Sequence, residues 1–190
     1  MSSRYEAINR DFLLNGKPTG ATFIESIRRQ DAQSDVAAAL TTQVMTAIAM
    51  PVQKGQIITS LTFLSGATAA GTPTNWWFAL YDDQATAALI AQTADQLTAA
   101  WALDTPKTLA LATPYEVPRS ATVVYAACMV KATTVPSLQC RVLGRASASA
   151  AVVSGQKALS VTSGAALTTT APATLATPTA VANIPYCVLQ

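Results

Sequence analysis

At 190 residues the chain can bury a real core within one domain of ordinary size. Its hydrophobic share is 51% but its charged share only 12%, about half the usual level for a soluble domain, which suits faces that neighbours cover. A net charge of +2 without clustered Lys and Arg is too mild for a nucleic-acid footprint. The absence of histidine excludes Ser-His-Asp and Cys-His nucleophilic catalysis and His-ligated metals.

Residues 1–35 hold ten of the 22 charged residues, five of each sign, and the composition shifts just after them. The shift predicts an N-terminal arm over residues 1–43, with short apolar patches at Phe12-Leu13-Leu14 and Phe23-Ile24 around the turn signal Asn15-Gly16-Lys17-Pro18. No patch is large enough to form a core, so the arm is expected to reach away and dock on another subunit, with Arg28 and Arg29 making pairs there. MSSRYEAINRDFLL carries acids where a signal peptide would be apolar, and no run nears the ~18 apolar residues of a membrane span. The chain is therefore expected to work in water, without a membrane partner.

Residues 44–143 read as strand after strand. Gln56 to Leu64 alternates, which predicts Ile57, Thr59, Leu61 and Phe63 on one face and Ser60 and Thr62 on the other. Trp76 to Tyr81 (WWFALY) is apolar on both faces, the pattern of a strand covered on both sides. Asp82-Asp83-Gln84 signals a turn and Ala88 to Ala91 a short strand. Residues 92–104 suit either a helical turn or a crossing loop. Lys107 to Ala112 points Leu109 and Leu111 inward, with Pro114 and Pro118 expected to end the strand. Ala121 to Lys131 reads as a central strand, followed by Ser137 to Leu143. About eight short strands with Gly, Pro and Asp punctuation predict an all-β fold, a jelly-roll-like β-sandwich.

Residues 144–190 form the third expected region. Through residue 180 they are nearly all Ala, Ser, Thr, Gly, Val, Leu and Pro, a linker-like composition. Val152-Val153, Leu159, Val161, Leu167 and Leu175 make the stretch more apolar than a free linker needs. It is expected to be extended chain, with one or two strands in it, packed along the sandwich or a neighbour and ending in a closing strand near Ile184 to Leu189.

Chemistry-bearing constellations are sparse, and no catalytic, cofactor-binding or metal-binding residue is assigned. Cys128, Cys140 and Cys187 are odd in number and widely spaced, which favours buried reduced thiols. Asp82 and Asp83 are adjacent in a turn where Asp bonds its own backbone, and no Asp-x-Asp-x-Asp-Gly loop supports calcium. Gly155 and Gly164 lie in no phosphate-binding motif. Trp76 and Trp77 are the most pointed feature. They read either as a sugar-stacking platform or, more naturally, as covered on both faces, by the opposing sheet and by a neighbour or the chain's own tail.

From Pro51 to Pro136 the sequence resembles a family of structural proteins of tailed phages and prophages of actinobacteria, called minor tail or capsid decoration proteins. The matching stretches are LTFLSGATAAGTPTNWWFALYD (61–82), AQTADQ (91–96), TLALATPYEVP (108–118) and KATTVPS (131–137). The resemblance implies a non-enzymatic virion component on a β-sandwich, assembled in the host cytoplasm, without cofactor and with no functional residues to carry over. Its expected partners are other virion proteins, such as major capsid or tail subunits, and copies of itself, with no nucleic acid. A head decoration role leads. The alternatives are a tail protein, or a fibre module binding host-surface glycan through an exposed tryptophan.

Overall fold

The computed structural model describes residues 22–33, 40–119 and 121–190. Most of the expected arm, including Phe12-Leu13-Leu14, lies outside the described residues. Alternation of apolar and small polar residues, with Val, Ile, Thr and aromatic residues at the alternating positions, drives these stretches into strands. In chain order the strands are β1 (Ile24–Glu25), β2 (Met45–Pro51), β3 (Ile57–Leu64), β4 (Asn75–Tyr81), β5 (Leu89–Gln92) and β6 (Pro106–Glu116). They continue with β7 (Val123–Lys131), β8 (Cys140–Val142), β9 (Ser160–Ser163), β10 (Thr179–Ala180), β11 (Asn183–Pro185) and β12 (Cys187–Leu189). Helix among the described residues is confined to two 3-10 turns, Arg29–Asp31 and Ala146–Ala148. No helix there is long and apolar enough to cross a membrane.

The strands build an all-β sandwich. One sheet has the order β1-β12-β3-β6, the other β10-β9-β2-β7-β4-β5, and β11-β8 makes a two-stranded annex. All strand pairs are antiparallel. From β1 to β7 the chain changes sheet between β1 and β2, β2 and β3, β3 and β4, β5 and β6, and β6 and β7. A bridge between Thr93 and Leu111 ties the β5 margin of one sheet to the β6 margin of the other. β7 lies inside the large sheet, as the two-sided apolar run predicts.

The inner core lies between the sheets. Ile48, Met50, Trp76, Phe78, Leu80, Cys128 and Val130 from the large sheet meet Ile58, Leu61, Phe63 and Leu189 from the small one. Phe63 and Phe78 touch across the gap with ring centroids 4.7 Å apart.

Several expectations change. Ile57 is 59% exposed, while Ile58 is fully buried with Leu61 and Phe63. A bulge resets the parity: Ile58 pairs with Tyr115 and Ser60 with Ala110, leaving Thr59 unpaired on that side. The backbone N–H groups of Thr59 and Ser60 both donate to the Gln190 carbonyl, at 2.6 and 3.0 Å. Pro114 does not end β6. It falls between the two stretches of β6 that pair with β3, where its missing N–H breaks no ladder bond. Of the two readings open for residues 92–104, the structure shows the one without a helix.

The expected divisions at 43/44 and 143/144 are not divisions of this fold. Ile24 and Glu25 pair with Leu189 and Val188, and Ile24 and Ile27 pack against the core. Ser26 Oγ accepts from Cys187 N at 2.9 Å and donates to the Pro185 carbonyl at 2.8 Å. Arg28, expected to pair with a partner subunit, instead bonds Asp31 at 2.8 Å, and Arg141 reaches the same carboxylate at 3.3 Å. Residues 22–33 are thus part of the body. The same holds beyond residue 143, because β9 and β10 extend the large sheet beside β2 and the closing strand expected near Ile184 to Leu189 is β11 and β12.

Candidate functional site

The side chains that chemistry would need first are all occupied by structure. Trp76 and Trp77 are 1% and 0% exposed, so neither offers a sugar platform and the glycan-stacking reading is corrected. Trp76 faces the inner core, where it stacks on Trp101 at 5.1 Å and donates from Nε1 to the Ala99 carbonyl at 2.9 Å. Trp101 sits in the 92–104 loop, and sequence reading missed it because that stretch has no periodicity. The loop is pinned by Asp95, whose carboxylate accepts from Asn75 Nδ2, Trp76 N and Leu97 N.

Trp77 points to the opposite face of the large sheet. There Met45, Ala47, Trp77, Ala79, Tyr81 and Met129 form a second apolar layer, closed over by Leu167, Ala171 and Leu175 of the Ala/Thr-rich segment. The cover is the chain's own tail. It runs without a full strand ladder, so its carbonyls need donors from elsewhere. The outward aromatics supply them: Trp77 Nε1 to Thr168 O at 2.7 Å and Tyr81 OH to Pro172 O at 2.9 Å. Gln92 clamps the same segment, donating to Thr169 O and accepting from Ala171 N. Burial pushes the Tyr81 phenol well above its ordinary value.

Asp82 does what a turn aspartate does, its Oδ1 accepting from Gln84 N at 3.2 Å and Ala88 N at 2.8 Å. Asp83 pairs with Lys157 at 3.5 Å. Cys128, Cys140 and Cys187 are all buried, and burial pushes their thiols above the usual range. Among the described residues no group of three or more His, Cys, Asp or Glu is placed to hold a metal ion.

What remains is a surface. Residues 146–159 form a strap beside β2, held by Tyr125 OH to Ala158 O at 3.0 Å and by the buried pair Ser149 and Ser160, whose backbone and Ser149 hydroxyl exchange bonds of 2.9 and 3.0 Å. Gln156 Oε1 accepts from the N–H groups of Val152 and Val153, fixing the tip of the strap with both valines outward. Val152 is 75% and Val153 59% exposed. Beside them opens a groove of about 480 Å³ lined mainly by Ala49, Pro51, Val123, Ala148, Val152 and Leu159. It is shallow and mainly apolar, with Gln156 and Lys157 also in its lining. Such a site fits binding of apolar chain and contains no nucleophile–base pair.

No known protein family matches the chain, and a search of curated proteins finds no relative.

Proposed function

We propose that the chain is a non-enzymatic structural component of a tailed-phage particle, foremost a head decoration or minor capsid protein. The observation that carries the assembly part is the ordered strap that holds Val152 and Val153 outward beside an apolar groove, on a chain with only 12% charged residues. A free-standing domain gains nothing from fixing two aliphatic side chains in water, whereas a repeated subunit does. Supporting it, the adjacent aspartates Asp82 and Asp83 are spent on backbone N–H groups and on the ion pair with Lys157. The phage part rests on the resemblance between residues 51 and 136.

The test is compositional. Mass spectrometry of purified tailed-phage particles should find the chain in many copies, and gold labelling should place it on the head shell. Labelling confined to the tail would replace the decoration role by a tail role. Absence from particles that otherwise contain their full set of structural proteins would sink the proposal.

A further inference from the structure

The groove along the strap needs an occupant, and its shape narrows the choice. Three exposed aliphatic side chains fall far short of the roughly 1,200 Å² that a stable interface between rigid faces buries. A cavity of about 480 Å³ instead suits a few large apolar side chains carried on extended chain. One segment of this chain has that composition and no place among the described residues: Phe12-Leu13-Leu14. We propose that the groove receives Phe12-Leu13-Leu14 of a neighbouring copy, an inference that rests on reading the chain as a repeated assembly component.

The point where the described chain starts supports this direction. Thr22 enters the body with its carbonyl bonded to Gln56 Nε2 at 3.3 Å. Gln56 belongs to the turn that follows Pro51, a residue of the groove wall, so the N-terminal segment and the groove lie at one end of the sandwich. They lie on different layers, however. Thr22 adjoins β1 at the margin of the small sheet, whereas Ala49 and Val123 border the groove on the outer face of the large sheet. The eight residues from Leu14 to Thr22 span at most about 28 Å when extended. Within one molecule that length must turn from the small-sheet layer to the outer face of the large sheet, across layers that stack about 10 Å apart. Reaching a neighbour set end against face needs no such turn. Strap and segment would then link copy to copy in one direction, the head-to-tail geometry of rings and lattices.

The experiment uses two chains, one carrying Leu13→Cys and the other Val152→Cys. The native cysteines are buried and so stay silent. Mixed and mildly oxidised, they should give a covalent dimer of one chain of each kind, well above the dimer that either variant gives alone. A second readout follows a labelled peptide of residues 8–18 binding to the chain that lacks residues 2–21. Val152→Asp should weaken that binding at least about tenfold. The inference is overturned if the mixed dimer does not form, if a chain with both cysteines cross-links only within itself, or if the peptide ignores Val152→Asp. A chain abundant in particles but failing these tests would keep its structural role and lose this contact. A chain absent from particles but passing them would lose the virion role and keep the contact.

Discussion

Phe63 and Ile57 stand six residues apart on β3 and have opposite surroundings. Phe63 is fully buried against Phe78, so Phe63→Ala is expected to cost about 3–5 kcal/mol in urea unfolding. Ile57→Ala, at an exposed position, should stay within about 0.5 kcal/mol. Equal losses from the two variants would mean that the bulge at Thr59 is absent in solution. Alternation alone assigned Leu61 and Phe63 correctly and Ile57 wrongly. The cause is not local: the bulge is held by the Gln190 carbonyl, which no periodicity around residue 57 can reveal. Trp101 was illegible for a related reason, since a core tryptophan in an irregular loop leaves no repeating pattern. Tyr81→Phe tests the outer layer. It removes the donor to Pro172 O and should cost about 1–3 kcal/mol, with faster amide exchange across residues 167–176. Unchanged exchange there would show that apolar contact alone holds the cover.

At the scale of elements, strands with strong β-formers were legible and pieces made of small residues were not. WWFALY announced a strand covered on both faces, and β4 is one. In the Ala/Thr-rich stretch one or two strands were expected but not placed, because Ser, Thr and Ala give weak contrast between the two faces of a strand; they are β9 and β10. Charge misled in the opposite sense. Residues 22–33 are polar enough to pass for a free arm, yet Ile24 and Ile27 pack on the core and Ser26 bonds β12. Truncation separates the two meanings of the arm. Removing residues 2–21 should leave the melting temperature nearly unchanged, while removing residues 2–33 should lower it by on the order of 5 °C. Equal melting of both truncated chains would mean that β1 contributes nothing to the sheet.

For the whole molecule, the sandwich was legible and the strap beside it was not, since the strap is made of small residues with a linker-like composition. The buried acids set its response to pH. The Cys128, Cys187 and Tyr81 protons are held more tightly in the folded state than in the unfolded chain, because burial disfavours thiolate and phenolate. The folded state therefore binds more protons above the ordinary thiol and phenol values near 9 and 10. This contribution is fully present below about pH 8 and is lost as pH rises through that range and beyond. Unfolding free energy measured against pH should fall progressively in alkali. A thiol reagent near pH 8 should label none of the three cysteines until denaturant is added, and rapid labelling of the native chain would contradict their burial.

β12 is the last strand in the chain, and it sits between β1 and β3 rather than at a margin. A ribosome making this protein therefore exports the neighbours long before the strand that joins them. Until Cys187–Leu189 emerges, β3 has β6 on one flank and an open row of backbone donors and acceptors on the other. Compaction of the small sheet must wait until residues 187–189 have left the exit tunnel, and the partly made chain carries an adhesive flank until then. Force measured with a translational arrest sequence should thus show its main folding event only when the linker frees residue 190 from the exit tunnel. A strong event with β12 still inside would mean that the small sheet closes without it.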